Sequence, residues 1–262
     1  MCLILISYKP HPDYELILAA NRDEFYDRPT LPLARWEDIK DIYAGRDVKG
    51  SGTWLGMTRS GRIAAITNYR DPASLRPNAP SRGLVVSNFL SGTESGGAYL
   101  QRLKKTGHQY NGFNLIVGDD TGLWYYSNRA DGIQKLDPGL YGLSNRLLNT
   151  GWPKVDKGKA GMSDQLRKNR EVNPDDFFDL LADRSMAPDE KLPDTGVGLE
   201  WERVLSSVFI TSENYGTRSS SILLIEKTGS VTFAERTFDV KEPARLNHET
   251  RRINFKISRL TV

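Results

Sequence analysis

The chain has 262 residues, enough to bury a large core, and we read it as one domain spanning 1–262. Its 36 Lys and Arg against 33 Asp and Glu give a net charge of +3, too balanced for a nucleic-acid groove over most of the surface. A single cysteine excludes an internal disulfide framework and fits cytosolic residence, and no apolar run approaches the roughly 20 residues that span a bilayer.

The chain opens on two apolar runs, Met1 to Tyr8 and Leu16 to Ala20, the second running on into Asn21-Arg22-Asp23-Glu24. Between them, Lys9-Pro10-His11-Pro12-Asp13-Tyr14 has the prolines and aspartate of a turn, so the stretch predicts an antiparallel hairpin. A turn centred near His11 and Pro12 pairs Cys2 with roughly Asn21, and a bulge shifts that register by one residue. The lone thiol then lies beside the polar cluster, since opposed side chains sit about 5 Å apart. Leu3 to Ile6 is too short for the apolar core of a signal peptide and has no basic residue before it. Removal of the initiator Met1 before a small residue would give Cys2 a free α-amine. Such an amine has a pKa of about 8 and can take the thiol proton, so one residue supplies nucleophile and base. A neighbouring guanidinium lowers the thiol pKa further. The other reading of Cys2 is a small buried hydrophobe at the start of a core strand.

Next, Asp27 to Pro32 reads as a loop because each proline biases its predecessor away from helix, and Ala44 to Asp47 and Gly50 to Gly52 read as turns. Thr53 to Thr58 and Arg62 to Thr67 form a second hairpin that ends in the polar rim Asn68-Tyr69-Arg70-Asp71. Helices follow from Ser81 through Leu90 and from Glu94 to Lys105, then strands at Phe113 to Gly118, Gly122 to Ser127 and Gly132 to Leu136. Leu140 to Asn145 is a short edge segment. Lys154 to Lys168 and Pro174 to Asp183 have helical composition, with Pro174 suited to a first turn. Leu192 to Gly198 is a breaker-rich loop. Ser207 to Thr211, Ser220 to Glu226 and Ser230 to Arg236 read as closing strands, with a polar link from Ser212 to Arg218. The basic residues Arg245, Arg251, Arg252, Lys256 and Arg259 read as a solvated tail. Helices in two groups between runs of strands give an α+β fold, and a four-layer αββα sandwich of two mainly antiparallel sheets satisfies that order.

The motif Ala20-Asn21-Arg22-Asp23-Glu24 behind an N-terminal Met-Cys resembles the NRDE family, also called the transport and Golgi organisation protein 2 family. Further blocks resemble it over nearly the whole chain: Gly52 to Gly56, Asn68 to Arg70, Ser81 to Gly83, Asn111 to Leu115, Leu143 to Asn145, Trp152 to Val155, Leu192 to Gly196 and Tyr215 to Ser220. The family is similar to N-terminal nucleophile hydrolases of the cysteine branch, which cleave amides of bile acids and penicillins. The resemblance implies Cys2 as nucleophile, with Arg22 and Asp23 as the orienting pair. It gives oxyanion contacts to Asn68 and Asn145 and thiolate support to Arg218. The hydrolases separate their arginine and aspartate by two residues, whereas Arg22 and Asp23 are adjacent. Adjacent strand residues point to opposite faces, which leaves Asn21 or Glu24 open for the second role unless a bulge intervenes. Each residue also has a plainer reading: Asn68 and Asn145 as turn formers, Arg22, Asp23 and Glu24 as a structural ion-pair cluster, Arg218 as a turn cap.

Two functions follow from these residues. One is hydrolysis of an acyl amide or acyl thioester through an acyl-Cys2 intermediate, with no cofactor. The other is a non-catalytic carrier of a lipid-like acyl group, acyl coenzyme A or haem in the same cleft. Cys2, His11, His108 and His248 are then the candidate haem ligands, although no haem attachment motif is present. The expected partner is a small-molecule ligand, with no nucleic acid and no membrane span. The five tryptophans, Trp36, Trp54, Trp124, Trp152 and Trp201, serve the core or an oligomer interface. No zinc spacing, phosphate loop or Ser-His-Asp signature is visible.

Overall fold

The computed structural model describes residues 2–39, 41–168, 171–239 and 247–258. In chain order the described elements are β1 (Cys2–Tyr8), β2 (Tyr14–Phe25), β3 (Thr30–Arg35), β4 (Ile42–Asp47), β5 (Leu55–Thr58), β6 (Ile63–Asn68), α1 (Gly83–Ser91), α2 (Gly96–Thr106) and β7 (Phe113–Asp119). They continue with β8 (Gly122–Ser127), β9 (Ile133–Lys135), β10 (Gly139–Leu143), α3 (Pro153–Lys168), α4 (Pro174–Leu181), α5 (Leu199–Leu205), β11 (Tyr215–Glu226), β12 (Ser230–Phe238) and β13 (His248–Lys256). The strands form a six-stranded sheet of order β10-β1-β2-β11-β12-β13 and a seven-stranded sheet of order β3-β4-β5-β6-β7-β8-β9. All the registered pairs are antiparallel. The chain divides into two compact units, one of Met1–Asp27, Pro138–Ser144 and Leu148–Asn254, the other of Arg28–Asp137, Asn145–Leu147 and Phe255–Val262. The α+β class and the two antiparallel sheets expected from the sequence are present.

In the first unit, α3 packs on β1 and β10, and α4 on β2 and β11. The reason is a continuous apolar layer. Leu3, Leu5, Ile17, Ala19, Ile222, Leu224 and Ala234 on the strands meet Trp152, Val155, Met162, Phe177, Phe178 and Leu181. Burying side chains of this size yields roughly 1.5–3 kcal/mol each, which offsets the cost of ordering the chain. The helix α3 approaches β1 closely enough that a Cβ on Gly158 would lie 2.8 Å from a Leu5 methyl. In the second unit α1 and α2 cover the seven-stranded sheet, with Phe89, Tyr99, Leu100 and Leu103 against Ile66, Phe113, Leu115, Val117 and Tyr126.

Several expectations are corrected. Asp27 to Pro32 is not all loop, because Thr30–Arg35 is β3, the edge strand of its sheet. Edge strands tolerate proline, and the register shift between Leu31 and Ala34 accommodates Pro32. Ala44 to Asp47 belongs to β4 rather than a turn. Gly45 is there for space: a Cβ would lie 2.4 Å from the Trp54 ring. Ser207 to Thr211 forms no strand beyond one bridge between Thr211 and Gly216, and β11 starts earlier, at Tyr215. Side chains satisfy that segment instead, as the site geometry makes clear. Arg251, Arg252 and Lys256 lie on β13 rather than in a tail, while Arg245 and Arg259 lie outside the described residues. Of the tryptophans, Trp36 and Trp152 are buried, Trp54 and Trp124 pack against the core of the second unit, and Trp201 is exposed.

Candidate active site

The site grows out of the opening hairpin. Tyr8 pairs with Leu16, and the loop between closes through Lys9 N–H donating to the Glu15 carbonyl at 2.9 Å. Lys9 takes a left-handed conformation (φ 65°), and the Asp13 N–H donates to Nδ1 of His11 at 3.1 Å. The turn is therefore centred on Pro12, and Cys2 pairs with Arg22 rather than Asn21. This one-residue correction decides which group faces the thiol. Directly opposed residues share a face of the sheet, so Cys2 and Arg22 point the same way and Asn21 the other.

Asn21 is fully occupied on the helix side. Its Nδ2 donates to the carbonyls of Leu181 and Val208, both at 2.9 Å, and its Oδ1 accepts from the Ser220 hydroxyl at 2.6 Å. It fastens the end of α4 and the Ser207 to Thr211 segment to β2. Two residues on, Asp23 shares that face and is also buried. Its Oδ1 accepts from the Thr217 hydroxyl at 2.7 Å, and Oγ1 of Thr217 accepts from the Ile210 N–H at 2.9 Å. These bonds replace the ladder that the Ser207 to Thr211 segment lacks.

Opposite the Arg22–Asp23 junction, β11 carries a bulge. Thr217 pairs with Asp23 and Ser219 with Arg22, leaving Arg218 as the extra residue. Bulges of this kind re-aim a side chain, and here Nη1 of Arg218 donates to the Phe25 carbonyl at 2.8 Å. Burial pushes the Arg218 guanidinium below its ordinary value, and the like charge of Arg22 adds to the effect, opposed by Glu24, Tyr26 and Asp27. Two guanidinium groups thus stand at the strand end that carries Cys2. The thiol, partly exposed, is pushed up from its ordinary value by desolvation, with the Asp23 charge acting the same way. The α-amine at the chain start, then Arg22 and the Asp23 N–H, act against that rise because all three favour the thiolate. On the other side, β10 ends in Leu143, and the hydroxyl of Ser144 donates to the Cys2 carbonyl at 3.0 Å.

One residue of this cluster was not singled out from the sequence. Lys154, in the first turn of α3, is 2 % exposed, against the usual rule that lysine stays in water. Burial pushes the Asp23 carboxyl up, and Lys154 is the strongest of the charges that hold it down, ahead of the Thr217 hydroxyl and Arg22. In the sequence the run Trp152-Pro153-Lys154-Val155 reads as a helix start and as a block that resembles the family, with no role marked for the lysine.

The structure sets Cys2, Arg22 and Arg218 at one strand end within the first unit, with the side chains of Asn21 and Asp23 behind the strand. Asn68 and Asn145 lie together in the second unit. Nδ2 of Asn145 donates to the Asn68 carbonyl at 2.9 Å, and the Arg70 N–H donates to the Asn145 carbonyl at 2.7 Å. His11 caps the first turn, and among the described residues no group of three or more His, Cys, Asp and Glu is placed to hold a metal. No helix among the described residues is long and apolar enough to cross a membrane.

Comparison with known proteins places these residues in context. Residues 1–240 match the family model described as Transport and Golgi organisation 2. The chain is 38% identical to a Transport and Golgi organization protein 2 homolog of Bos taurus, over 94% of this chain and 96% of that one. It is 37% identical to the Homo sapiens homolog, over 98% and 99%. Among solved structures it is similar to the C2A mutant of conjugated bile acid hydrolase from Clostridium perfringens. That likeness has a TM-score of 0.51 at 10% identity and covers 99% of this chain and 98% of the other. At that identity it shows the fold, that of N-terminal nucleophile hydrolases.

Proposed function

The chain belongs to the Transport and Golgi organisation 2 family, and from that membership and the Cys2 cluster we propose that it is an N-terminal cysteine hydrolase of acyl amides or acyl thioesters. The observation that carries the reading is the register that sets the one thiol of the chain opposite buried Arg22, beside a bulge that delivers Arg218. A hydrolase of conjugated bile acids with the same fold supports the same class of chemistry.

In this reading Met1 is removed and the α-amine of Cys2 takes the proton from Sγ. The thiolate attacks the carbonyl carbon, forming the C–S bond while the carbonyl electron pair moves to oxygen. Collapse of that tetrahedral species expels the amine or thiol, which leaves with the proton held by the α-ammonium. Water then attacks the acyl-Cys2 thioester, giving one proton to the α-amine as the C–S bond breaks, and that proton returns to sulfur. Arg22 and the Asp23 N–H stabilise the thiolate. Arg218 adds positive charge where the negative charge develops. Burial holds the thiol up, and in this reading removal of Met1 supplies the α-amine of Cys2 as the base that takes its proton. The oxyanion role that the resemblance gives Asn68 and Asn145 is part of the proposal and is tested by replacing each with alanine.

The test is release of amine or thiol from a panel of acyl amides and acyl thioesters by wild type, Cys2→Ala and Cys2→Ser. Turnover confined to the wild type, with thermal midpoints alike in all three, is the expected result. A Cys2→Ala variant that still turns over removes the mechanism. Absence of turnover in all three, with binding retained, would make the chain a carrier.

A further inference from the structure

The buried pair beneath the strand end reaches further than the roles taken from the family. Asp23 is 1 % exposed and Lys154 2 %, and each ionised alone would be costly to bury. They come from elements 131 positions apart in sequence, β2 and α3, joined by one apolar layer. Trp152 and Val155, flanking Lys154, pack in the same cluster as Leu3, the neighbour of Cys2. Asp23 faces this side of the sheet, as the bonds of its face-mate Asn21 to Leu181 and Val208 establish. Its backbone N–H is one of the groups that favour the Cys2 thiolate, and its carboxylate is the charge that disfavours it. The state of Asp23 is therefore felt at sulfur from behind the strand.

We propose that Lys154 is the counter-ion of Asp23 and, through it, a positioning residue that sets the reactivity of Cys2. It touches neither the thiol nor a substrate. The charged and titratable groups facing Asp23 are Lys154 from α3, Arg22 from its own strand, Cys2 across the β1–β2 pair and Tyr26 further along. On β11, Thr217 supplies a neutral hydrogen bond and Arg218 faces Arg22. The α-amine at the chain start acts on Asp23 as well, and removal of Met1 moves that amine onto Cys2. Among the cations that act on Asp23, Lys154 is the one carried by a helix of the described residues. A lysine placed merely to pack its methylenes would be replaced by methionine without consequence for Asp23. As counter-ion it cannot be.

The inference rests on the proposed role of Cys2 for its meaning, while its test needs no turnover. Four proteins are compared: wild type, Lys154→Met, Lys154→Arg and the double variant Asp23→Asn/Lys154→Met. The readouts are the carboxyl titration of Asp23 by carbon NMR, the pH profile of Cys2 alkylation by iodoacetamide, and the thermal midpoint. Lys154→Met is expected to raise the Asp23 midpoint by about 1–3 units, the shift an adjacent opposite charge produces. Its Cys2 alkylation profile gains a second step at that midpoint, and its thermal midpoint falls. Lys154→Arg keeps the wild-type profile. The double variant loses the second step and recovers thermal stability, because no unbalanced charge remains. An Asp23 titration unchanged in Lys154→Met, an alkylation profile lacking the second step, or a double variant no more stable than the single one, overturns the proposal. If Lys154→Met fails to fold, a folded double variant supports the counter-ion and an unfolded one refutes it. Absence of hydrolysis would sink the enzyme reading and leave these results standing.

Discussion

Replacing Asn21 by alanine tests the claim that this residue holds the site from behind rather than taking part in it. The side chain is 1 % exposed and makes three hydrogen bonds, donating at 2.9 Å to the carbonyls of Leu181 and Val208 and accepting at 2.6 Å from Ser220. A net contribution of about 1 kcal/mol per bond sets a floor near 3 kcal/mol. The stranded carbonyls and hydroxyl are buried in the apolar layer, and desolvation of unsatisfied groups raises the expected loss to about 3–5 kcal/mol. That is a large share of a total of about 5–15 kcal/mol, and lowers the thermal midpoint by about 6–20 °C in a chain of this size. Urea unfolding followed by circular dichroism reads the loss as a fall in midpoint at unchanged slope. Asn21→Asp, which sets a carboxylate against two carbonyl oxygens, loses more at pH 7 than Asn21→Ala does. A loss below about 1 kcal/mol for Asn21→Ala would refute the reasoning.

Thr217→Val removes the hydroxyl that donates to Asp23 and accepts from Ile210, with an expected cost of about 2–3 kcal/mol by urea unfolding. It also moves the Asp23 titration further up, since that bond favours the carboxylate; an unmoved NMR midpoint contradicts this. Asp23 is pushed up by burial in the folded chain, so the folded state holds the extra proton between the unfolded value near 3.9 and the raised value. Stability contributed by Asp23 is then present below that window and lost as pH rises through it. The gap between wild type and Asp23→Asn shifts in that direction in pH-dependent unfolding, and a flat difference contradicts the sign. Gly158→Ala sets a new methyl 2.8 Å from Leu5. Overpacking of about 1–3 kcal/mol outweighs the helix-propensity gain of about 1 kcal/mol, so the variant is less stable, and a more stable one would show that α3 moves off β1 freely.

Much of the fold was legible because local chemistry decides it. The strands β7 and β8 are apolar runs around the turn from Asp119 to Gly122, where Gly122 takes φ 133° and its neighbours need no distant partner to explain them. The helix α2 was marked by its apolar stripe Tyr99, Leu100 and Leu103 and by Gly107 at its end, and α4 by Pro174 in a first turn. The site was legible as a composition and not as a geometry. Which of Asn21, Arg22, Asp23 and Glu24 faces Cys2 depends on one residue of register in the first turn, set by the left-handed Lys9. Nothing local announces the bulge at Arg218, because it arises from pairing β11 with a strand nearly two hundred positions away. Lys154 is one of several lysines of α3, and nothing local marks it for the burial that the fold gives it. The segment from Ser207 to Thr211 has strand composition, yet side chains of Asn21 and Thr217 take the bonds a neighbouring strand would have taken.

The measurement closest to the central claim is the intact mass of the purified protein before and after exposure to acyl amides and acyl thioesters. The account predicts a chain lacking Met1 that gains one acyl group on Cys2 and loses it on standing in water, with no gain in Cys2→Ala. A chain that keeps Met1 and takes up no acyl group at Cys2 contradicts it.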